Sequence, residues 1–307
     1  AMVGKWHLGF HEAAYTPLKR GFEKWYGIFP GGGSHTGHFS VSQPFSARGG
    51  TDVTWQGFNL WDNDAPSMDN KSPTHTTHLY TAKAKEYIEA FEAAAPAYAA
   101  PPRKTPRKLS SRDPWFLYLS YQAVHDPVEV GDAKYVTDTN CKSLDAPRSE
   151  LCGMVAEVDD GLKTIRLTLE ANNAWDRTLL VVASDNGGVP AHGSSNYGLR
   201  GEKAQYYEGG VRVPLVVSGG YVNKQARGRR LQSLTHVTDL HATFLHLAQY
   251  QPRAEDKALD GVDLAPHLFG DAPPPRGEIL INMNSAHFGE AGALIVGDFK
   301  YATNAEP

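Results

Sequence analysis

A short apolar run ends abruptly in side chains that could bind a metal ion. Residues 179–184 read Leu-Leu-Val-Val-Ala-Ser, and Asp185, Asn186 and two glycines follow directly. A run of this composition predicts a strand buried on both faces of a sheet, and ligands of open α/β sheets bind just beyond the carboxyl ends of such strands. Asp185 and Asn186 offer hard oxygen ligands that suit Ca²⁺ or Mg²⁺ better than Zn²⁺. The same four residues are also common in plain β-turns.

Lysines and histidines that could bind an anion occur in three other segments. Lys5 and His7 lie two residues apart, so in an extended chain they project to the same side and could converge on one anion. His125 follows a second predicted buried strand, residues 115–121, and Lys203 lies in a polar, Gly-containing segment, residues 199–212. Each has an ordinary structural alternative: a solvated lysine beside a packed histidine, a structural histidine, or a charged surface turn.

Together these residue types suit the transfer of a sulfate or phosphate group. Positive charge around such a group offsets the negative charge that develops in the transition state. A metal ion polarises one of its oxygens, and a histidine can protonate the leaving oxygen.

Alternating strand and helix patterns predict the scaffold for these residues. Apolar spacing predicts helices over residues 79–95, 151–169 and 235–249, with Leu151, Val155, Val158, Leu162, Ile165 and Leu169 on the buried face of the second. Further short strands are expected over residues 211–217, 279–281 and 293–296. Such alternation implies an α/β fold with a largely parallel sheet and helices on both faces. Residues 96–112, which are rich in proline and basic residues, are expected to form an exposed loop.

Composition excludes some classes of partner. The 307 residues carry a net charge of −4, so nothing indicates nucleic acid or an anionic membrane as a partner, and no apolar run approaches the roughly 18 residues of a membrane span. Cys141 and Cys152 could form a local disulfide or remain two thiols, and their spacing matches no zinc signature. With the glycosylation sequon at Asn70, the cysteines favour the secretory route.

The order and spacing of several segments resemble the sulfatase family, of the arylsulfatase type. The resemblance spans most of the chain and is greatest to the arylsulfatase B (N-acetylgalactosamine-4-sulfatase) group. The matching segments are residues 4–9 (Gly-Lys-Trp-His-Leu-Gly), 20–22 with 26–27, 116–119 through 124–127, 184–188, 199–203 (Leu-Arg-Gly-Glu-Lys) and 208–212 (Glu-Gly-Gly-Val-Arg).

The resemblance implies a particular fold and a particular chemistry. The fold would be α/β and alkaline-phosphatase-like, with a mixed, mostly parallel sheet and helices on both faces. The reaction would be hydrolysis of a sulfate ester with a bound Ca²⁺, for which Asp185 and Asn186 would be ligands. In this family the nucleophile is formylglycine, made from a Cys or Ser in a Cys-x-Pro/Ala-x-Arg motif. Its hydrate attacks sulfur, and the sulfated intermediate then eliminates sulfate.

The remaining site residues take their roles from the same resemblance. Lys5, His125 and Lys203 would bind the sulfate group. His125 is then a candidate general acid at the leaving oxygen, together with Lys203, and His7 would assist the elimination of sulfate. The substrate would be a sulfated small molecule or a sulfated glycan, and residues 31–69 and 191–197 are expected to contribute to its specificity.

One departure from the family pattern leads to further expectations. Neither cysteine begins a Cys-x-Pro/Ala-x-Arg motif, and the family places the nucleophile and a pair of aspartate ligands upstream of the segment that holds Lys5. We therefore expect an N-terminally truncated chain, with residues 1–271 from the catalytic domain and residues 277–307 beginning a small C-terminal domain. The chain alone is expected to be inactive.

Two other functions fit some of the same residues. A non-catalytic, sulfatase-derived protein could bind anions or sulfated glycans through them. Phosphoryl transfer on the related alkaline-phosphatase core usually needs more His and Asp ligands, so the Lys5–His7 and Asp185–Asn186 pairs favour sulfate. If the protein is an enzyme, we expect it to be lysosomal or secreted.

Overall fold

The computed structural model describes residues 1–41, 56–94, 114–254, 256–284 and 291–303. The chain divides into two compact units, the first comprising Ala1–Ala174 with Ala191–Ser194 and the second Trp175–Pro190 with Ser195–Pro307. The domain limits proposed from the sequence, 1–271 and 277–307, stay predictions. The proline-rich loop predicted over residues 96–112 lies outside the described residues.

A five-stranded sheet forms the centre of the first unit. The strands of this unit are β1 Met2–Lys5, β2 Trp25–Ile28, β3 Phe39–Val41, β4 Gln56–Phe58, β5 Trp61–Asp62, β6 Ala65–Pro66 and β7 Tyr118–Ser120. Five of them form the sheet in the order β6-β5-β2-β1-β7, and β3 pairs separately with β4. β1 pairs in parallel with both β2 and β7, whereas β5 pairs antiparallel with both β2 and β6.

Other side chains pack on both faces of β1 and β2. Successive side chains of a strand point to opposite faces, so each strand contributes to both contacts. Met2 and Trp25 are opposite each other in the register and pack in an apolar cluster with Trp6. On the other face, the ring of Tyr26 meets Tyr80 of the first long helix edge to face, with ring centroids 6.2 Å apart. Burial of each such side chain stabilises the folded state by about 1.5–3 kcal/mol, so packing on both faces stabilises these two strands.

β7 is more exposed than the sequence predicts. The apolar run over residues 115–121 predicts a buried strand, but Phe116 and Tyr118 are 53% and 45% exposed. Among the described strands β7 pairs only with β1, so one of its edges has no neighbouring strand. The prediction of a strand is confirmed, and the prediction that it is buried is wrong.

The helices of the first unit are α1 Thr76–Ala94, α2 Lys134–Thr137 and α3 Arg148–Ala171. Both long helices are confirmed, but α3 is rotated relative to the predicted face. Val155 is 52% exposed, whereas Glu157 is buried. Gly161 explains the rotation, because a β-carbon there would lie 2.7 Å from the hydroxyl of Thr81 on α1. Glycine permits this close approach of the two helices, and the approach cannot be predicted from hydrophobic periodicity.

The second unit contains two separate antiparallel sheets. β8 (Leu180–Ala183) pairs with β9 (Leu215–Ser218), and β10 (Glu278–Asn284), β11 (Ala291–Val296) and β12 (Phe299–Thr303) form the other sheet. The C-terminal strands confirm the predicted ones. The helices are α4 Glu208–Val211, α5 Val237–Leu247 and α6 Ala265–Phe269.

β8 corrects the prediction of a strand buried on both faces. Its residues are half-buried or exposed, because a pair of strands leaves one edge of each uncovered. The strand predicted over residues 211–217 begins only at Leu215, after Pro214, and Val211 belongs to α4. Proline has no N–H to donate to a sheet, which accounts for the later start.

Three further sequence features have clear outcomes. Cys141 and Cys152 form a disulfide, which ties the start of α3 to the preceding turn. Asn70 is only 8% exposed, and its side chain bonds the N–H and the carbonyl of Leu60, so the sequon is inaccessible in the folded chain. Within the described ranges, no helix combines the length and apolar character that a membrane crossing requires.

Candidate active site

Lys5 and His7 follow the central strand of the first sheet. Lys5 is the last residue of β1, and Trp6 between them is buried at 7% exposure. The indole N–H of Trp6 lies 2.9 Å from the carbonyl oxygens of both Gly9 and Tyr15. Lys5 is half-buried and His7 exposed, which is the alternation expected when one residue points into the core and its neighbours point away.

The ring of His7 packs directly on Gly31. A β-carbon on Gly31 would lie 2.5 Å from Cε1 of His7, so only glycine leaves room for the imidazole. His7 has a left-handed backbone with a φ of 55°, and its N–H donates to the carbonyl of Phe29 at 2.9 Å. A left-handed non-glycine residue costs on the order of 1–3 kcal/mol and is commonest at functional sites.

His125 packs on the next residue, Gly32. A β-carbon on Gly32 would lie 2.9 Å from Nδ1 of His125. That nitrogen also lies 2.9 Å from the carbonyl oxygen of Asp126, which can only accept, so Nδ1 carries a hydrogen. Nε2 is then the nitrogen that can exchange a proton. The structure therefore brings together, on two consecutive glycines, the histidines of two separate motifs, His7 and His125.

Glu129 holds the loop that continues from these glycines. Its carboxylate accepts the backbone N–H groups of His35 at 2.7 Å and Thr36 at 3.1 Å. The hydroxyl groups of Ser34 and Thr36 also donate to it, each at 3.2 Å. Several donors on one carboxylate order a loop strongly. Glu129 is not predicted from the sequence, because no spacing pattern marks a carboxylate that clamps a loop 93 to 95 residues away.

A layer of buried histidines lies behind His125. Nε2 of His35 donates to the backbone carbonyl of His125 at 2.9 Å, and its Nδ1 lies 3.0 Å from the hydroxyl of Thr76. Burial lowers the pKa of His35, so the ring stays neutral with this tautomer. His35 stacks on His75 with ring centroids 4.7 Å apart, and Nδ1 of His75 lies 3.6 Å from the buried carboxylate of Glu157. No motif in the sequence marks these residues.

An acid–base pair adjoins His125 on the surface of the first unit. Oδ2 of Asp126 lies 2.6 Å from Nδ1 of His192, and both side chains are about half exposed. His192 falls within residues 191–197, for which the sequence predicts a contribution to substrate specificity. The pair therefore places His192 against Asp126, the residue directly after His125.

Asp185 and Asn186 form a tight turn after β8 in the second unit. Oδ1 of Asp185 accepts the N–H of Asn186 at 2.9 Å, and the Asn186 amide donates to the carbonyl of Gly187. A β-carbon on Gly187 would lie 1.7 Å from the carbonyl oxygen of Gly209, and the N–H of Gly187 donates to the carbonyl of Gly210. The turn is therefore fixed by backbone contacts that require glycine.

Lys203 belongs to the same loop cluster of the second unit. Its backbone N–H donates to the carbonyl of Gly188 at 3.3 Å. The side-chain amide of Asn196 bridges the two loops, because it accepts the N–H of Gly188 and donates to the carbonyls of Gly188 and Gly201. The loop that carries Lys203 is thus bonded directly to the turn that carries the predicted metal ligands. Asn196 is a further residue that the sequence pattern does not reveal.

Asp185 and Asn186 carry oxygen atoms of the types that bind a calcium ion. Ca²⁺ takes about six to eight oxygen ligands, with carboxylates and amide carbonyls among them. The Asn186 amide nitrogen is engaged by Gly187, so its oxygen is the atom available to a cation. In the part of the chain that the structure describes, no three His, Cys, Asp or Glu side chains group as a metal cluster. The pair would therefore supply only part of a calcium site.

The fold and these residues together define a class of protein. A mixed, mostly parallel sheet with packed helices carries a lysine and two histidines beyond the ends of its parallel strands β1 and β7. The basic side chains there suit an anionic group. The chain is thus an α/β protein whose first unit carries residues suited to an anionic ligand.

Comparison with known proteins narrows this class. A family model described as Sulfatase matches residues 1–250, so the chain belongs to the sulfatase family. It is 30% identical to arylsulfatase J of Mus musculus, over 92% of this chain and 42% of that protein. It is 27% identical to N-acetylgalactosamine-6-sulfatase of Canis lupus familiaris, over 88% of this chain and 46% of that protein. The chain therefore spans somewhat under half the length of these curated relatives.

A solved structure confirms the predicted fold class. The chain matches Ps i-CgsB in complex with k-i-k-neocarrahexaose with a TM-score of 0.76 at 25% identity, over 98% of this chain and 61% of that one. The family and the alkaline-phosphatase-like architecture predicted from the sequence are both confirmed.

Proposed function

We propose that the protein containing this chain is an arylsulfatase-type hydrolase of sulfate esters whose substrate is a sulfated glycan. Membership of the sulfatase family supports the reaction, and the neocarrahexaose bound to Ps i-CgsB supports the substrate class. The motifs quoted from the sequence favour the N-acetylgalactosamine-4-sulfatase group. The observation that carries the proposal is the packing of His7 and His125 on consecutive glycines, since two proton-transfer groups from separate segments then lie against one loop.

In this proposal, three basic side chains bind the sulfate group. These are Lys5, His125 and Lys203. Their positive charge offsets the charge that gathers on the sulfate oxygens and the leaving oxygen as the ester bond breaks. Lysine suits this role because its ammonium is a compact charge that can contact any sulfate oxygen.

His125 is the proposed general acid. The carbonyl of Asp126 holds its Nδ1–H, so the Nε2–H of the imidazolium is the proton available to the departing alcohol oxygen. The ring of His35 donates a hydrogen bond to the backbone carbonyl of His125 and so holds that backbone in place. His7 is proposed to assist the step that releases sulfate from the nucleophile.

The nucleophile and the metal ion complete the proposal. The formylglycine expected in this family supplies a reactive carbonyl hydrate, and neither cysteine here can be its source, because Cys141 and Cys152 are bonded to each other. Ca²⁺ would be held in part by Asp185 and Asn186, where it would polarise a sulfate oxygen. The disulfide also supports an oxidising compartment, so we propose that the protein is lysosomal or secreted.

Sulfate release by the complete protein tests the proposal. The substrates are oligosaccharides sulfated at position 4 or 6 of N-acetylgalactosamine and an aryl sulfate with an acidic phenol, and released sulfate is measured by ion chromatography. Replacing a general acid lowers kcat by about 10²–10⁴. We expect His125→Ala to show this loss on the sugar sulfates and a smaller loss on the aryl sulfate, because an acidic phenol departs without a proton.

A matched control separates catalysis from general effects. Lys163 is exposed on α3, so Lys163→Met should leave both activities unchanged, whereas Lys203→Met should raise KM for both substrates. A complete protein that binds the oligosaccharides without releasing sulfate would instead be a glycan-binding member of the family. Equal losses on both substrates in His125→Ala would remove the general-acid role.

A further inference from the structure

An aromatic cleft of about 590 Å³ lies in the first unit, near the two histidines. Four of the residues that line it are aromatic: Phe10, Phe29, Phe58 and Trp61. Polar side chains, including Ser40 and Asn59, complete the lining. Small-molecule sites have volumes of about 300–1,000 Å³ and combine aromatic walls with a few polar groups, so the size and lining suit one or two sugar rings.

The cleft has a rigid base and exposed aromatic rims. At the base, the ring of Phe29 lies 4.3 Å from Trp25 and 5.3 Å from Trp61, centroid to centroid. At the rim, Phe10 is 55% exposed and stacks on Phe29 at 5.5 Å, and Phe58 is 64% exposed. Large exposed aromatic rings around a cleft are typical of ligand-binding grooves.

The cleft is continuous with the loop that supports the histidines. Pro30 lines it and is bonded directly to Gly31, on which His7 packs. The hydroxyl of Ser40, also in the lining, donates at 2.8 Å to the carbonyl of Gly32. The Cα atoms of neighbouring residues are about 3.8 Å apart. The cleft therefore begins one residue before Gly31, the glycine on which His7 packs.

The charge of the cleft limits what it can bind. Among the described residues that line it none is basic, and Asp64 is its only acidic residue. A uronate or a second sulfate ester placed there would lose hydration without gaining a positive partner. The C–H faces of an uncharged sugar ring, in contrast, pack well on aromatic rings. The amide of Asn59 donates to the hydroxyl of Ser40 at 3.0 Å, so the Asn59 amide oxygen is the acceptor that a sugar hydroxyl can bond.

We propose, on the basis that the substrate is the sulfated glycan named above, that this cleft binds a neutral hexose ring next to the sulfated sugar. The protein then selects glycans in which the neighbouring ring is uncharged. Glycans that carry a uronate at that position are disfavoured. Phe58 and Phe10 are the residues that determine this specificity.

Binding and kinetics on the complete protein test this inference. The binding probes are a neutral galactotetraose and a uronate-containing tetrasaccharide, followed by the tryptophan fluorescence to which Trp61 contributes. One aromatic contact contributes on the order of 1.4 kcal/mol, or about tenfold in Kd. We expect Phe58→Ala and Phe10→Ala each to weaken galactotetraose binding about tenfold and Phe58→Trp to restore it. The uronate probe should bind at least about tenfold more weakly than the neutral one, by the same conversion.

A remote phenylalanine provides the control, and sulfate release separates the two proposals. Phe299 is 82% exposed on β12 and does not line the cleft, so Phe299→Ala should leave binding unchanged. If the protein releases no sulfate but Phe58→Ala still abolishes galactotetraose binding, the cleft inference holds and the proposed hydrolysis fails. If sulfate is released and KM for a sulfated oligosaccharide is the same in Phe58→Ala, or if both probes bind equally, the inference is wrong.

Discussion

Replacing Glu157 by glutamine should destabilise the protein although Glu157 touches no substrate. Its side chain on α3 is fully buried. Oε1 lies 3.0 Å from Nε2 of His78, and Oε2 lies 3.6 Å from Nδ1 of His75. Glu157→Gln removes the charge but keeps one oxygen acceptor.

The size and the pH dependence follow from these contacts. Burial by itself raises the pKa of Glu157, but the neighbouring His78 and His75 outweigh it, and the net pKa is lowered. The carboxylate is therefore ionised at neutral pH. Losing hydrogen bonds to a buried charged group costs about 1–3 kcal/mol, so we expect Glu157→Gln to lower the free energy of unfolding by about 2 kcal/mol at about pH 7.5.

Acid should remove stability from the wild-type protein through the same cluster. A carboxylate with a lowered pKa stabilises the fold above its unfolded pKa, and this contribution is lost as pH falls through the folded pKa. Burial, together with the neighbouring imidazole of His35, lowers the pKa of His75 from 6.5 to about 4, so between these values only the unfolded chain takes up that proton. The free energy of unfolding should therefore fall from about pH 6.5 towards about pH 4, by at most about 1.4 kcal/mol per pH unit for each such group.

Urea unfolding at about pH 7.5 and about pH 5.5 measures both effects. The matched control is Glu170→Gln on the same helix, where Glu170 is 37% exposed and pairs with Arg166 at 2.9 Å. Exposed pairs contribute about 0–1 kcal/mol, so this variant should behave like the wild type. A Glu157→Gln variant no less stable than Glu170→Gln would refute the assigned role of the buried carboxylate.

Three other changes have expected outcomes. Replacing both Cys141 and Cys152 by serine removes a disulfide between residues 11 positions apart in the sequence. Urea unfolding should then show a free energy of unfolding lower by about 3 kcal/mol, and reduction of the wild type should give the same decrease. Arg276→Ala leaves the fully buried carboxylate of Asp239 without its ion-pair partner and should cost about 3–5 kcal/mol in the same assay, and Arg276→Lys should restore only part of this because it lacks the two-pronged geometry. Asn70 should be unmodified in peptide mass spectra of the complete protein, and a glycan found there would contradict its burial.

Prediction from sequence succeeded where chemistry and local pattern coincide. The sulfatase family could be recognised because the segments around Lys5, His125, Asp185 and Lys203 each combine an unusual polar residue with a strand or a glycine-rich turn. The two long helices could be recognised because apolar residues recur at helical spacing. Burial was harder to predict, since β7 and β8 have apolar sequences but few strand neighbours among the described residues.

The family and the order of the main elements could be predicted from the amino-acid sequence alone, and the sequence also supplied the side chains proposed for catalysis. Which of these groups meet depends on tertiary structure. The fold packs His7 and His125 on Gly31 and Gly32, and it brings Glu129 back to a loop more than 90 residues earlier. Contacts over such separations depend on strand register and on the close approach that glycine allows, and neither leaves a periodic signal in the chain. The fold also places an aromatic cleft next to the loop on which these histidines pack, because Ser40 in the cleft bonds the carbonyl of Gly32, and local sequence does not encode that proximity.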